Sequence, residues 1–533
     1  MADGEKKKRC FSKCRRLTHA DCLTKDQCYY TNGKTRKFCR LQHRFKMDKD
    51  CQVTRRYKKG EEHLAEHIAE HMAEHIAEQK KMAEQKEKAQ AQLKAKAVLT
   101  RFFRKTKHRR KAEFLKSICS DSGVCIAFGT SAGAIKQFFG GFTDFAYAKA
   151  PIIRIGNPSI NGFVNAIHYV HRGYEAHAVL KSAMNASADN LMYEYLVGQY
   201  LNKMGKIYPL FVETYGYYTY NTPAIWQKFK DNKSITTMDL LKTGLTLHKT
   251  ADYERACQKS KYLAILTQHL KGLTDIGSLI RKEEFCKYDL LGVLFQIYMP
   301  LVMLRNTFTH YDLHRENANV YEPVKGSYIE YHYHLMARSI EGADATVSFK
   351  SRYIAKLIDY GRSYFKDTTA REGSAIVRRK VCDENACYDN ARNPCGEQRG
   401  FTFLNNKSTK HNFFINAAQS NISHDLRLLN DINQYGISTL LPFELSTLLN
   451  KVEYGVGMPS TGNEWQFGTK ENTTNGSATD RINNVNDAIR ALRKLIETPE
   501  EKLKNEMFYA GKTKLGDLHI HSDGRPMRYV PTY

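Results

Sequence analysis

The sequence predicts an α+β protein of several domains, and three observations carry that expectation. Apolar residues follow two periods within one chain, alternating along Tyr328–Leu335 as in a strand and striping Asn190–Leu201 as on a helix. The 533 residues suffice for two to four domains at about 100–200 residues each. A hydrophobic content of 42%, with 11% aromatics and only 12 prolines, excludes a wholly disordered chain.

Taken in order, residues 1–56 form a Cys-rich basic module. Six cysteines fall here: Cys10, Cys14, Cys22, Cys28, Cys39 and Cys51. The segment Cys28–Cys39 reads as two strands around an Asn-Gly turn. So short a module cannot bury enough apolar surface alone, so cross-links are expected. Zinc on thiolates, with Cys14, Cys22, Cys28 and Cys39 as ligands, is one possibility; disulfides or free thiols are the others. Residues 57–112 read as a low-complexity helical spacer with a basic end. Within it His63, His67, His71 and His75 recur every four residues, a stripe that drifts about 40° per repeat and keeps no heptad. The run Arg101–Lys111 interleaves charge with Phe102 and Phe103.

The net charge of +26 follows this division. Residues 1–60 balance to +13, 61–79 to −6 and 80–116 to +11, which leaves +8 for the other 417. The basicity therefore suits docking of residues 1–116 to an acidic partner or nucleic acid, not a nucleic-acid role for the whole chain. No apolar stretch follows the basic start, so secretion is not expected. The longest apolar run, Gly292–Leu304, is short for a bilayer and is broken by Gln296, so no transmembrane segment is expected.

The globular part begins near residue 113, and its most specific string is His310-Tyr-Asp312-Leu-His314-Arg-Glu-Asn317. It follows a buried-helix pattern, Leu290–Leu304, and precedes a short strand, Ala318–Tyr321. A loop there offers a carboxylate and, five residues on, an amide. Phosphoryl transfer needs a carboxylate to orient a hydroxyl and hard oxygens for Mg²⁺. Downstream, the strand Tyr353–Ile358 ends in Asp359-Tyr360-Gly361. Upstream, Ala178-Val-Leu-Lys181 is a strand, and Glu194 lies on a helix thirteen residues later. Further back, Ile155-Gly156-Asn-Pro-Ser159-Ile-Asn-Gly162-Phe-Val164 places two glycines between strands; Gly129–Gly133, a rival phosphate loop, reads better as a turn before a helix at Ala134–Phe139.

These elements in this order resemble the protein-kinase-like superfamily, over roughly Ile152–Asn430. The wording Ile-Asp-Tyr-Gly-Arg-Ser and the Cys-rich start are most similar to the serine/threonine kinases of large nucleocytoplasmic DNA viruses. The resemblance implies a two-lobed kinase-like fold, with an N-lobe at 113–270, a C-lobe at 271–533 and a connector around Gln268–Gly272. It implies transfer of the γ-phosphoryl group of Mg-ATP to a Ser/Thr hydroxyl on protein. Lys181, paired with Glu194, would position phosphates; Gly156, Ser159, Gly162 and Val164 would cover the nucleotide; Asp312 would orient the acceptor, with His314 nearby; Asn317 and Asp359 would hold Mg²⁺. It also implies a place in the host cytoplasm or viral factory, or packaging in the virion.

Several departures qualify the match. His314 stands where typical protein kinases have Lys, as in aminoglycoside-phosphotransferase-like enzymes, so a small-molecule kinase is one alternative. A kinase-fold binding protein of the virion without turnover is another. The 47 residues from Asp312 to Asp359 exceed the usual spacing, and the surplus reads as a hairpin through Tyr328–Leu335 and Thr346–Ser348. No Ala-Pro-Glu follows; instead Cys382, Cys387 and Cys395 form an insertion. Ser423-His-Asp425 resembles the helix start whose Asp braces the catalytic loop. Asp487–Ile496 reads as a helix, and Leu515–Tyr529 as a hairpin around Asp-Gly, in a C-terminal extension.

Overall fold

The structure is a computed structural model that describes residues 14, 18–25, 28–32, 37–41, 45–47, 53–55, 129–156, 158, 162–184, 191–250, 262–270, 272–336, 344–374, 376–377, 401–404, 412–415, 420–435, 439–452, 454 and 481–532. The chain divides into two units, Met1–Arg110 and Lys111–Tyr533. In the first, helix α1 (His19–Leu23) precedes the expected hairpin of β1 (Cys28–Asn32) and β2 (Lys37–Leu41), where Tyr30 faces Cys39. A smaller ribbon pairs β3 (Phe45–Met47) with β4 (Val53–Arg55). Cys14, Cys22, Cys28 and Cys39 are buried together against Tyr30 and make up most of this small core. They pair as Cys14–Cys28 and Cys22–Cys39. The histidine repeat, the basic run 101–111 and the Cys382–Cys395 insertion lie outside the described residues.

The second unit opens with α2 (Gly129–Phe138). The stretch Gly129–Gly133, expected as a turn, is the first half of this helix. Ile135, Phe138 and Phe139 bury at its end, and that burial outweighs the roughly 1 kcal/mol that each glycine costs a helix. Next come β5 (Ala148–Ile155), β6 (Gly162–His171), β7 (Tyr174–Ala183), helix α3 (Leu191–Met204), β8 (Thr214–Tyr220), α4 (Pro223–Asp231), β9 (Ser234–Ile235), α5 (Asp239–Gly244), β10 (Leu245–His248) and β11 (Leu263–His269). The strands form one antiparallel sheet in the order β10-β8-β11-β7-β6-β5-β9. Strand alternation gives it two apolar faces. Phe163, Ile167, Ala178, Leu180 and Leu266 face a core with Trp226 and Phe229 of α4. Tyr217, Leu263 and Ile265 face the opposite core, into which α3 brings Tyr193, Val197 and Leu201.

Beyond β11 the chain becomes helical. The short strand β12 (Thr274–Asp275) leads into α6 (Ile276–Leu279), whose first turn is capped by Asp275. A π-helical turn, Phe285–Asp289, then runs into α7 (Leu290–Met303). By length and composition Phe285–Met303 could cross a membrane, but 83% of its apolar window is buried inside this protein. Gln296, the polar break in the run, is spent internally: its amide accepts from Ala355 N at 2.9 Å and donates to Tyr353 O at 3.1 Å.

Around α7 lie β13 (Phe308–Thr309), β14 (Ala318–Tyr321), β15 (Ser327–Leu335), β16 (Ala345–Ser351), β17 (Ile354–Leu357) and β18 (Tyr364–Asp367), which pairs with the short β19 (Glu372–Gly373). The expected hairpin is the antiparallel pair β15/β16. Then come a 3-10 turn at His424–Leu426, α8 (Arg427–Gln434), α9 (Phe443–Asn450), α10 (Val485–Ile496), α11 (Pro499–Tyr509), β22 (Thr513–His521) and β23 (Arg528–Pro531), with a separate ribbon of β20 (Phe401–Leu404) and β21 (Asn412–Ile415) before them. The terminal hairpin β22/β23 forms as expected, and β22 also pairs in parallel with β15. The second unit is thus mixed helix and strand, with its largest sheet antiparallel.

Candidate active site

Lys181 occupies a central strand, opposite Val164 on β6 and Ile265 on β11. Its ammonium lies 2.7 Å from Glu194 Oε2 on α3 and 2.8 Å from Asp359 Oδ1. Glu194 is buried and within the first turn of α3, so its charge also meets the positive end of that helix. Burial works against the charge of Lys181, but Asp359 and Glu194 outweigh it and hold its pKa well above the ordinary lysine value. Burial would likewise raise the Asp359 carboxyl. Lys181, with Arg362 and His310 beyond it, instead brings it down to about 2. Three residues separated by 178 positions thus form one ionised cluster.

The catalytic-loop candidate is built by backbone bonds. Asp425, fully enclosed ahead of α8, accepts the N–H of His310 at 2.9 Å and that of Tyr311 at 3.0 Å. Tyr311 has φ of +62° and Asp359 has φ of +66°, a left-handed backbone that non-glycine residues adopt at an energetic cost. Asp425 compensates this at Tyr311 by fixing the turn just before Asp312. Inside the loop, Asn317 Nδ2 donates to Asp312 O at 2.9 Å, and His314 N donates to the same carbonyl at 3.0 Å. Ile358 N donates to Asn317 O at 3.1 Å, which brings Asn317 alongside Asp359. Tyr360 is buried; its hydroxyl donates to Leu357 O at 2.6 Å and accepts from Val212 N at 3.1 Å, fixing the Asp-Tyr-Gly turn.

The Asp312 carboxylate is not isolated. Arg427 Nη1 donates to Oδ1 at 2.6 Å, Arg362 Nη1 stands 3.7 Å from Oδ2, and His314 Nε2 stands 4.0 Å from Oδ1. Burial pushes His314 below the ordinary histidine value, opposed by Asp312 and aided by Arg427. Neither arginine was anticipated from the sequence. Arg362 follows directly on the Asp-Tyr-Gly turn, and Arg427, two residues past Asp425, is brought to Asp312 only by packing across 115 positions. Lys356 also escaped notice: burial, offset only in part by Glu213, pulls its ammonium down to about 7, and Nζ donates to Phe211 O at 3.2 Å.

The glycines at the ends of the 156–162 loop have steric reasons. Gly156 has φ of +63°, and a Cβ on Gly162 would stand 2.5 Å from Ser182 O. Gly162 pairs with Ala183 and Val164 with Lys181, so the loop springs from the strand end nearest the ionised cluster. Ser159 lies outside the described residues. The structure thus brings together Lys181, Glu194, Asp359 and the Asp312–Asn317 loop, with Val164 beside them. The expected connector begins late, since Gln268 and His269 still belong to β11.

Hard oxygens suit Mg²⁺. Asn317 commits its amide nitrogen to Asp312, leaving Oδ1 as a donor for a cation, and Asp359 stays ionised with only one oxygen on Lys181. The residues fit such an ion. In the first unit, the Cys14, Cys28 and Cys39 sulfurs lie within 4.8 Å of one another, a spacing that a thiolate-bound metal also accepts in the reduced form.

No protein-family model matches the sequence, and no curated protein matches it. Among solved structures, the crystal structure of the kinase domain of PF14_0431 is similar at 14% identity with a TM-score of 0.24. The match covers 44% of this chain and 55% of that one, so the chain spans just over half of that domain's length.

Proposed function

We propose that the chain is an ATP-dependent phosphotransferase with a two-lobed kinase-like fold, passing the γ-phosphoryl group of Mg-ATP to a Ser/Thr hydroxyl on protein. The observation that carries this reading is the ionised cluster: one buried lysine held at once by a helix carboxylate and by the Asp of Asp-Tyr-Gly. In this reading the β5–β11 sheet with α3 is the N-lobe, the part built on α7 is the C-lobe, and ATP binds between them. Lys181 positions phosphate oxygens while Glu194 keeps it from collapsing fully onto Asp359. Asp312 orients the acceptor hydroxyl and takes its proton, and Arg427 and Arg362 hold that carboxylate in place. Asn317 and Asp359 hold Mg²⁺, which when bound offsets the negative charge of the phosphates. His314 borders the same carboxylate, where it would contact the acceptor.

Residues 1–56, as a cross-linked or zinc-bound module, and 57–112, as a spacer, would dock the enzyme on an acidic partner. A viral origin, with work in the host cytoplasm, viral factory or virion, completes the proposal. The test is phosphate transfer from Mg-ATP to a mixture of proteins and, separately, to small alcohols. Transfer to protein supports the reading. Transfer to small alcohols alone moves the assignment to a small-molecule kinase, and nucleotide binding without any transfer moves it to a silent kinase-fold binding protein.

A further inference from the structure

A second cluster of ligating side chains lies away from the site above, on the outer face of the sheet that joins β15 to β22. The two strands run parallel in a register that sets Glu330 beside Asp517, His332 beside His519, and His334 beside His521. Strand alternation turns all six to one face, while Tyr331, Tyr333, Leu518 and Ile520 point into the core. Four imidazoles and two carboxylates thus form a ladder two strands wide.

The orientation of the rings is specific. His332 Nδ1 bonds Ser348 Oγ at 2.9 Å, and His334 Nδ1 bonds Thr346 Oγ1 at 3.2 Å, both on β16. Those outer bonds turn the Nε2 atoms toward β22, where His332 Nε2 meets Asp517 Oδ1 at 2.9 Å and His334 Nε2 meets His519 Nδ1 at 3.0 Å. Fixing one ring nitrogen so that the other is aimed is how proteins prepare histidines for metals. Donors bound to one tetrahedral zinc at ~2.0–2.2 Å stand roughly 3.3–3.6 Å apart, so a shift of about half an ångström would open either pair to an ion. Single donor atoms of Glu330, His332 and Asp517 all lie within 4.8 Å of one another. His521 Nδ1 is buried with no hydrogen-bond partner. A cation already sits here: Lys514 Nζ is 2.6 Å from Glu330 Oε2 and 2.7 Å from Asp517 Oδ1. Lys514 has a long, partly exposed side chain, which can swing away when a better cation arrives.

We propose that this ladder is a binding site for a divalent ion of the zinc class, held by His332, Asp517 and Glu330 with His519 as the adjacent donor. Mixed imidazole and carboxylate donors select zinc-like ions over Mg²⁺ or Ca²⁺. The ion would clamp the C-terminal hairpin to the insertion that joins Asn317 to Asp359.

The test uses the full chain, stripped with a chelator and equilibrated at fixed free Zn²⁺, with bound zinc counted by elemental analysis. The N-terminal cysteines and the repeat histidines contribute equally to every variant, so differences report this site. H332A/D517A should bind one equivalent less than wild type. K514M, which removes the competing ammonium, should reach half-saturation of that equivalent at roughly threefold to tenfold lower free zinc. Equal zinc in wild type and a folded H332A/D517A would overturn the proposal. If that variant does not fold, K514M decides: unchanged or weaker zinc binding overturns it.

Discussion

Replacing Lys181 by Met removes a cation that bridges two carboxylates. Glu194 Oε2 lies 2.7 Å away with its side chain 6% exposed, whereas Asp359 Oδ1 lies 2.8 Å away with its side chain 38% exposed. Breaking a fully buried pair costs about 3–5 kcal/mol, because the remaining charge is stranded. Asp359 can recover water, so its share is small, and the expected loss is about 2–3 kcal/mol, nearly all from Glu194. Neutralising that residue as well, in K181M/E194Q, should return about 1–2 kcal/mol of it. The assay is urea unfolding followed by fluorescence. Trp226 is a local reporter, since its indole N–H donates to Ala183 O at 3.1 Å, two residues along β7 from Lys181. A K181M chain within 0.5 kcal/mol of wild type, or a double variant that loses the sum of the two singles, would refute the buried cluster.

Gly162→Ala should cost about 1–3 kcal/mol and abolish stabilisation by Mg-ATP in thermal melts, because the new Cβ would stand 2.5 Å from Ser182 O. Asp425→Ala strands the buried N–H groups of His310 and Tyr311, so urea midpoints should report a loss of about 2–4 kcal/mol, with phosphotransfer down by about tenfold or more. Asp359 titrates near 2 in the folded protein, below the ~3.9 of an unfolded chain. Its contribution is therefore complete above about pH 4 and is lost as pH falls towards 2. The displacement alone would give roughly 2.6 kcal/mol, and solvent screening of a side chain that is 38% exposed reduces this to about 1 kcal/mol. Urea midpoints at pH 5 and pH 2.5 should show the gap between wild type and D359N closing at the lower pH.

The parts of the site legible in the sequence are those whose chemistry is local. Asp312 and Asn317 are five residues apart, and Lys181 and Glu194 thirteen, so periodicity puts them on a loop, a strand and a helix, while the resemblance to kinase motifs is what singles them out. The bracing role of Asp425 came from the same resemblance, and its bonds to His310 N and Tyr311 N agree with it. What escaped depends on distant packing. Arg427 reaches Asp312 across 115 positions, and nothing local marks that arginine out from others. The His-x-His strings of β15 and β22 read as ordinary alternation. Their joint meaning needs a parallel register that hairpin signals, being local, cannot supply. Gly129–Gly133 misled because its small residues suggest a turn, while the apolar end of α2 supplies the burial that makes it helical.

The most direct measurement is phosphate transfer from Mg-ATP by wild type beside D312N and D359N, with nucleotide-dependent melting recorded on the same samples. Asp312 and Asp359 have separate tasks here, so transfer should fall by about 100-fold or more in both variants. Stabilisation by Mg-ATP should persist in D312N and weaken in D359N. Transfer at wild-type rates in either variant would contradict the account.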